Sequence, residues 1–303
     1  MGDRAIKTVT VKNVTIGEGI PKILVPITGT SPDDLRAQVD ALAAHHVDVV
    51  EWRVDYFSHL ADPAIVLATG RALAEQLSET PLLFTCRTQV EGGEVTIDDE
   101  AYGELNVALI ESGTVDLVDV EYQRQRAVVE RILAAAHSHS VPVIASNHDF
   151  SETPAKDEIL ARLQEMQRLG ADICKLAVMP HSASDVLILL DATLTMHEKY
   201  ADRPLITMSM GRLGVVSRLT GQVFGSAASF GMVGAPSAPG QLDADELHKV
   251  MALLDWRNEL PSNSPRPPGV LDEIQNLRQL PPVRLQRAFV GTALLGGMQY
   301  RRQ

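Results

Sequence analysis

Residues 142–177 have the sequence PVIASNHDFSETPAKDEILARLQEMQRLGADICKLA, the clearest strand–helix–strand unit in the chain. Two short apolar runs, Pro142–Asn147 and Asp172–Ala177, predict strands. The amphipathic stretch 154–168 between them predicts a helix that begins at Pro154 and is closed by Gly170. Two strands joined by a helix indicate a parallel βαβ unit.

The same alternation continues along most of the chain. The predicted strands are Lys22–Thr28, Asp48–Arg53, Leu82–Cys86, Val115–Val120, Pro142–Asn147, Asp172–Ala177, Leu205–Ser209 and Val223–Ala227. The predicted helices cover residues 33–46, 62–78, 98–112, 123–139, 154–168, 182–197 and 243–255, and residues 210–221 contain a short possible helix. Eight strands with crossover helices favour an α/β fold of the closed (β/α)8 TIM barrel type. An open doubly wound sheet is the alternative, weakened because no Gly-x-Gly-x-x-Gly follows the first strand.

The two ends of the chain differ from this pattern. Residues 8–17 alternate between apolar and polar side chains around a Lys-Asn turn and predict a short N-terminal β-hairpin. The barrel with its hairpin is expected to occupy residues 1–256. Residues 257–303 begin with a Pro-rich linker and form a C-terminal extension. From sequence this extension is either disordered or docked on the barrel or on a partner subunit.

Composition excludes several classes of function. The net charge of −12 makes nucleic acid an unexpected partner, because an acidic surface repels phosphate backbones. No apolar run reaches membrane-spanning length, and the N-terminus lacks a secretory signal, so a cytoplasmic protein without a membrane partner is expected. The two cysteines lack the spacing of metal ligands, and no His/Cys cluster predicts a metal site.

Lys175 and His148 are the strongest candidates for chemistry. Lys175 lies inside an apolar predicted strand, where a lysine is rare unless it is paired or reactive. Desolvation disfavours a charged amine, and a neutral amine attacks ketones to form an iminium ion. The alternative is a lysine whose ammonium reaches water at the strand end. His148 follows the neighbouring strand, placed to move protons next to such an imine, although a lone histidine there is more often structural.

Charged residues also end the second and third predicted strands. Glu51 and Arg53 share one face of the second strand because side chains alternate. Arg87 follows the third strand, with Glu91 in the same loop. Two arginines on adjacent strands suit a hydroxylated or anionic ligand, and a buried structural ion pair is the alternative for Glu51 and Arg53.

The glycine- and proline-rich residues 211–221 and 234–241 predict a long loop at the eighth strand, with the length of a lid. Arg218, Ser237 and Gln241 in these stretches are candidates to bind a carboxylate together. A mobile surface loop without a ligand is the alternative.

Six segments together resemble the type I 3-dehydroquinate dehydratase family, over roughly residues 7 to 256. They occur in the order that the family has, and they are EWRVD (51–55), FTCR with EGGE (84–87 and 91–94), SNHDF (146–150), KLAVMP (175–180), SR (217–218) and APSAPGQ (235–241). Asn147 stands where an aromatic residue often precedes the histidine, and Cys86 where a larger apolar residue is expected.

The resemblance implies a homodimeric, cofactor-free hydro-lyase that dehydrates 3-dehydroquinate in the shikimate pathway of aromatic amino-acid biosynthesis. It implies that Lys175 forms the Schiff base, that His148 transfers protons and that Glu91 orients His148. It further implies that the substrate hydroxyls are contacted by Glu51, Arg53 and Arg87. The substrate carboxylate would be held by Arg218, Ser237 and Gln241. A Schiff-base aldolase on the same barrel and a non-catalytic carboxylate-binding barrel are the alternatives.

Overall fold

The computed structural model describes residues 6–255. The strands are β1 Val9–Val11, β2 Val14–Ile16, β3 Lys22–Ile27, β4 Val49–Arg53, β5 Leu82–Thr85, β6 Leu117–Glu121, β7 Val143–Asp149, β8 Ile173–Val178, β9 Leu205–Ser209, β10 Ala228–Met232 and β11 Leu242–Asp243. The helices are α1 Pro32–Leu42, α2 Pro63–Leu77, α3 Asp99–Glu111, α4 Arg126–Ser138, α5 Lys156–Leu169, α6 Ala183–Lys199, α7 Val215–Phe224 and α8 Ala244–Leu253. Residues 54–56 and 89–91 form short 3-10 helices.

Strands β3 to β10 form a parallel barrel. Each strand pairs with the next one along the chain from β3 to β9, and β10 pairs with β3. A parallel bridge between Leu205 and Ser226 closes the sheet, and the Ala227 N–H donates to the Leu205 carbonyl at 2.7 Å. The (β/α)8 TIM barrel prediction is therefore confirmed.

The inner face of the barrel changes from apolar to polar along the strands. Its first layer is apolar and consists of Leu24, Val49, Leu83, Leu117, Ile144, Ile173, Ile206 and Ala228. Because side chains alternate along a strand, the residues two positions further on point to the same interior. They include Glu51, Thr85, Asp119, Ser146 and Lys175, all buried. This change in polarity places a charged site at the carboxyl ends of the strands, where TIM barrels bind their ligands.

The predicted N-terminal hairpin is confirmed. Strands β1 and β2 pair antiparallel, from Val9 opposite Ile16 to Val11 opposite Val14. These four side chains are packed with the apolar first layer of the barrel. The hairpin thus covers the end of the barrel opposite to the charged layer.

Helix α1 begins and helix α5 ends at residues whose types suit helix caps. Ser31 caps α1 in a capping box with Asp34, and Pro32 occupies the first turn. Gly170 ends α5 in the left-handed conformation, with φ of 93°. The predicted start of α5 at Pro154 is two residues early, because the helix begins at Lys156.

The position predicted for the eighth strand, Val223–Ala227, is wrong. Val223 and Phe224 are the last residues of α7, which ends at Gly225 with φ of 98°. The strand begins at Ala228. A short apolar run fits a buried helix turn as well as a strand, so the pattern was ambiguous here. The predicted long loop is consequently shorter, and residues 233–241 alone connect β10 to β11.

The expected Pro-rich linker and tail, residues 257–303, lie outside the described residues. Within residues 6–255, no helix has the length and apolar character needed to cross a membrane.

Candidate active site

A cavity at the carboxyl ends of the barrel strands brings all nine predicted site residues together. Apolar side chains from β9 and β10 and from Phe150 complete its wall. The nine residues are Glu51, Arg53, Arg87, Glu91, His148, Lys175, Arg218, Ser237 and Gln241. They come from six of the eight barrel strands or the segments that follow them, which explains why they are dispersed in the sequence.

Lys175 lies on β8 with its side chain inside the barrel and is 3% exposed. Its Nζ donates a hydrogen bond of 2.9 Å to Oδ2 of Asp119, which is 1% exposed. The same nitrogen lies 4.4 Å from the centre of the Phe230 ring. The alternative of a lysine that reaches bulk water is therefore wrong. However, burial alone disfavours the ammonium, whereas the carboxylate and the aromatic face favour it.

His148 and Glu91 form a hydrogen-bonded pair beside the lysine. Nδ1 of His148 lies 2.9 Å from Oε2 of Glu91, which also accepts the backbone N–H of His148 at 3.0 Å. Asn147 donates to the other oxygen of Glu91 at 3.2 Å. With Nδ1 engaged by Glu91, Nε2 is the ring nitrogen that remains for a ligand.

The electrostatic surroundings keep the imidazole neutral. Burial lowers the pKa of His148 well below its usual range, and the nearby cations Arg87, Lys175, Arg53 and Arg218 lower it further. Burial raises the pKa of Glu91 to about 8, with Glu121 and Asp119 adding to the effect and Arg87 opposing it. Both shifts disfavour charge on this buried pair, so the imidazole of His148 is uncharged at neutral pH.

Arg87 is the centre of a buried ion-pair network. Nη2 donates to Oδ1 of Asp119 at 2.5 Å, and Nη1 donates to Oε1 of Glu121 at 3.2 Å. Nη1 also donates to the hydroxyl of Ser146 at 3.0 Å and to Glu91 at 3.4 Å. Most donors of this guanidinium are thus engaged by the protein, so Arg87 chiefly organises the acidic side chains around it.

Glu51 and Arg53 lie on the inner face of β4, as the alternation predicts, and Trp52 lies outside in the core between barrel and helices. Oε1 of Glu51 accepts the Thr85 hydroxyl at 2.9 Å. Arg53 donates to both oxygens of Asp55, from Nε at 2.8 Å and from Nη2 at 2.7 Å. This two-point ion pair holds the guanidinium at the cavity wall.

Arg218 differs from the other cations because no carboxylate within residues 6–255 pairs with it. It is 1% exposed, and its Nε has no hydrogen-bond partner. Nη2 donates to the Pro239 carbonyl at 3.2 Å. Burial lowers the pKa of Arg218 to about 10, and no neighbouring charge contributes to that shift. A buried cation with an unused donor at a cavity is suited to bind an anion.

The loop of residues 233–241 carries Ser237 and Gln241 to the same side of the cavity. The backbone N–H of Ser237 donates to Oε1 of Gln241 at 2.8 Å, and Nε2 of Gln241 donates to the Ser237 hydroxyl at 3.1 Å. Gly240 has φ of 80°, and a Cβ there would lie 2.4 Å from the Gly211 carbonyl oxygen. Only glycine allows this close contact with the segment before α7.

Sequence reasoning missed Asp119 and Glu121. Both lie on β6 in the run Leu117-Val-Asp-Val-Glu121, and both are buried. Alternation puts them on the face of Leu117, which is the barrel interior, so charges at these two positions were a readable signal. Within the described part of the chain, no set of three His, Cys, Asp or Glu residues is arranged to hold a metal ion.

Comparisons with known proteins agree with one another. The model of the type I 3-dehydroquinase family matches residues 23–257. The 3-dehydroquinate dehydratase of Listeria welshimeri is 53% identical over 246 residues, which are 81% of this chain and 97% of that protein. The corresponding protein of Shigella boydii is 51% identical over 251 residues, covering 82% of this chain and 99% of that protein.

A solved structure is also similar to this chain. The type I 3-dehydroquinate dehydratase of Clostridium difficile, determined with covalently modified comenic acid, has a TM-score of 0.80 and 47% identity. The alignment covers 82% of this chain and 98% of that one. The similarity therefore extends over nearly the whole length of these relatives.

Proposed function

Because the chain belongs to the type I 3-dehydroquinase family, we propose that Lys175 forms the Schiff base through which it dehydrates 3-dehydroquinate. The product is 3-dehydroshikimate, and the reaction is a hydro-lyase step of the shikimate pathway. The observation that carries the assignment of Lys175 is its buried amine in one cavity with the imidazole of His148. The chemistry explains the arrangement, since an amine and a proton-transfer group must reach neighbouring carbons of the substrate.

Lys175 supplies the electron sink. Its amine adds to the C3 ketone, and loss of water from the carbinolamine gives an iminium ion. The positive nitrogen withdraws electrons from C2 and acidifies its proton. Because the covalent imine stabilises the resulting carbanion as an enamine, the chemistry requires neither a metal nor a nicotinamide.

His148 moves the protons in this proposal. Its neutral Nε2 removes the C2 proton, and the imidazolium then protonates the C1 hydroxyl as it leaves. Hydrolysis of the product iminium releases 3-dehydroshikimate and restores the amine of Lys175. A low histidine pKa makes the imidazolium a strong acid for the second step, which fits the burial and positive surroundings of His148. Glu91 holds the ring through Nδ1 and so keeps Nε2 available.

The remaining residues bind the substrate. Arg218 binds the carboxylate on C1 together with Ser237 and Gln241. The unpartnered Nε of Arg218 at the cavity supports this assignment. Glu51 and Arg53 contact the hydroxyls. Arg87 reaches the same cavity and contributes mainly by fixing the surrounding carboxylates.

The chain is further proposed to act as a cytoplasmic homodimer. Leu213, Val216 and Val223 are exposed apolar residues on or beside α7, and Val216 and Val223 share one side of the helix. Exposed apolar strips of this kind often mark protein interfaces. Sedimentation of the full chain should give twice the mass of one chain, and a monomer at micromolar concentration would contradict this assembly.

The activity is tested by the absorbance of the product. Dehydration creates a conjugated enone, so 3-dehydroquinate mixed with the protein should develop ultraviolet absorbance, and Lys175→Ala should not produce it. A Schiff-base aldolase would instead release carbon–carbon cleavage products, and a binding protein would leave the substrate unchanged. Either of these two results would refute the proposed function.

A further inference from the structure

Asp119 lies against the amine of Lys175 at the centre of the charged layer. Oδ2 accepts from Lys175 Nζ at 2.9 Å. Oδ1 accepts from Arg87 Nη2 at 2.5 Å and from the Ser146 hydroxyl at 2.6 Å. Every donor to this carboxylate is buried, so the geometry is fixed by the barrel and not by a mobile surface chain.

The nitrogen of Lys175 is therefore held in surroundings that stabilise positive charge. Asp119 faces it from β6, and the ring of Phe230 faces it from β10 at 4.4 Å. An ion pair and a cation–π contact both favour a cation over a neutral amine. These surroundings stabilise any cationic form of the Lys175 nitrogen.

We propose that Asp119 is the positioning counter-ion of the Lys175 nitrogen, first for its ammonium and then for the iminium ion formed with substrate. The inference rests on the proposed Schiff-base chemistry. The ammonium loses one proton to become the attacking amine, and a second passes from nitrogen to the carbinolamine oxygen. The first proton then adds to that hydroxyl, which leaves as water. The iminium nitrogen that results keeps one N–H and one positive charge. That N–H donates to Oδ2 of Asp119, so the same carboxylate serves both cations.

Asp119 keeps its negative charge during these steps. Burial disfavours the ionised carboxylate, but Arg87 and Lys175 outweigh burial and hold the pKa of Asp119 at about 2. A carboxylate this weakly basic does not retain the proton that the ammonium releases. Its contribution is electrostatic, since it keeps the imine protonated and therefore electron-withdrawing.

Glu121 provides a matched control for the test. It is a buried carboxylate on the same strand, and it accepts from Arg87 and from Thr88, whereas its hydrogen bonds do not include Lys175. Asp119→Asn and Glu121→Gln each remove one negative charge from the same network. The other titratable groups that line the cavity are unchanged in both variants, and these are Glu51, Arg53, Arg87, Glu91, His148, Lys175 and Arg218.

The experiment measures the protonation of the imine. Cyanoborohydride reduces protonated imines selectively, whereas borohydride reduces both the protonated and the neutral imine. The amount of protein labelled with cyanoborohydride divided by the amount labelled with borohydride therefore reports the protonated fraction. In Asp119→Asn the ratio should fall about tenfold above neutral pH, and the alkaline limb of kcat should move down by roughly one pH unit or more. Glu121→Gln should leave the reduction ratio close to that of the wild-type protein, because Glu121 makes no hydrogen bond with Lys175, and Asp119→Glu should restore the ratio and the alkaline limb in part.

The outcomes separate this inference from the proposed function. If the wild-type protein forms no reducible adduct, the Schiff-base function itself fails. If adducts form but Asp119→Asn keeps the wild-type ratio and alkaline limb, or if Glu121→Gln shifts them equally, the counter-ion role is wrong. If Asp119→Asn does not fold, the infrared C=N stretch of the wild-type adduct tests whether the imine is protonated and hydrogen-bonded. A shift in D2O supports a protonated, hydrogen-bonded iminium, and a band insensitive to D2O contradicts it.

Discussion

The imidazole of His148 is surrounded by positive charge. Burial lowers its pKa, and Arg87, Lys175, Arg53 and Arg218 lower it further. A proton-abstracting histidine must be neutral in the unliganded enzyme, and kcat/KM reports the titration of that form. We expect kcat/KM to remain level as the pH falls through 6.5 and to decline only well below it. A half-maximal value between pH 6.5 and 7 would show that these charges do not act on the catalytic base.

Arg218 is the residue that is expected to determine affinity for the substrate carboxylate. Arg218→Gln removes a hydrogen bond between charged groups worth about 1.5–3 kcal/mol, so KM should rise about tenfold to a hundredfold while kcat changes less. Arg212→Gln is the control, because Arg212 is an exposed neighbour outside the cavity. Equal KM values for the two variants in steady-state kinetics would remove Arg218 from the carboxylate site.

Some of the site residues were predictable from the sequence and others were not. Lys175 and His148 were recognisable because a lysine in an apolar strand and a histidine at a strand end are unusual on their face of the barrel. The charge of Asp119 on the inner face of β6 was readable, but its contact with Lys175 was not, because no sequence separation indicates that the two meet across the interior. The pairing of β6 with β7 and of β7 with β8 creates that contact, and the barrel has to close before it exists.

At the scale of elements, helices and strands were predictable where their termination signals are unambiguous. Gly170 predicted the end of α5, and the strand limits agree within a few residues for seven of the eight barrel strands. The region of α7 and β10 failed because the short apolar run at Val223 fits a strand as well as a helix, and Val223 and Phe224 in fact end α7. Tertiary packing against the barrel decided this segment, and local propensity did not.

The loop of residues 233–241 supports a prediction about a single close contact. Gly240→Ala should lower kcat/KM on the order of tenfold to a hundredfold, because a Cβ 2.4 Å from the Gly211 carbonyl oxygen displaces Ser237 and Gln241. Gly234→Ala is the matched control in the same loop, with φ of 78° and no atom within 4 Å of its Cβ. Both share the backbone strain, so equal kinetic losses would rule out the contact as the cause.

At the scale of the whole molecule, the hairpin and the charged layer lie at opposite ends of one barrel. The apolar end is covered by β1 and β2, and the polar end is built from strand residues that repeat every second position. The net charge of −12 would repel an anionic substrate, so the local cations Arg53 and Arg218 must offset it.

The barrel is expected to function without the C-terminal extension. Relatives matched over 97–99% of their own length correspond to only 81–82% of this chain, and the family model ends at residue 257. Deletion of residues 258–303 should therefore leave kcat/KM within about twofold of the full chain, since no site residue is removed. A folded but inactive truncated protein, judged by circular dichroism and the absorbance assay, would assign the extension a part in catalysis.

The covalent role of Lys175 is tested most directly by trapping the adduct. The protein is treated with borohydride in the presence of 3-dehydroquinate, digested, and analysed by mass spectrometry. The substrate-derived mass should appear on the peptide that contains Lys175, and His148→Ala should carry the same label although its turnover falls by about 10²–10⁴-fold. Lys175→Ala should carry none. A label on a different lysine, or undiminished turnover without any label, would contradict the mechanism.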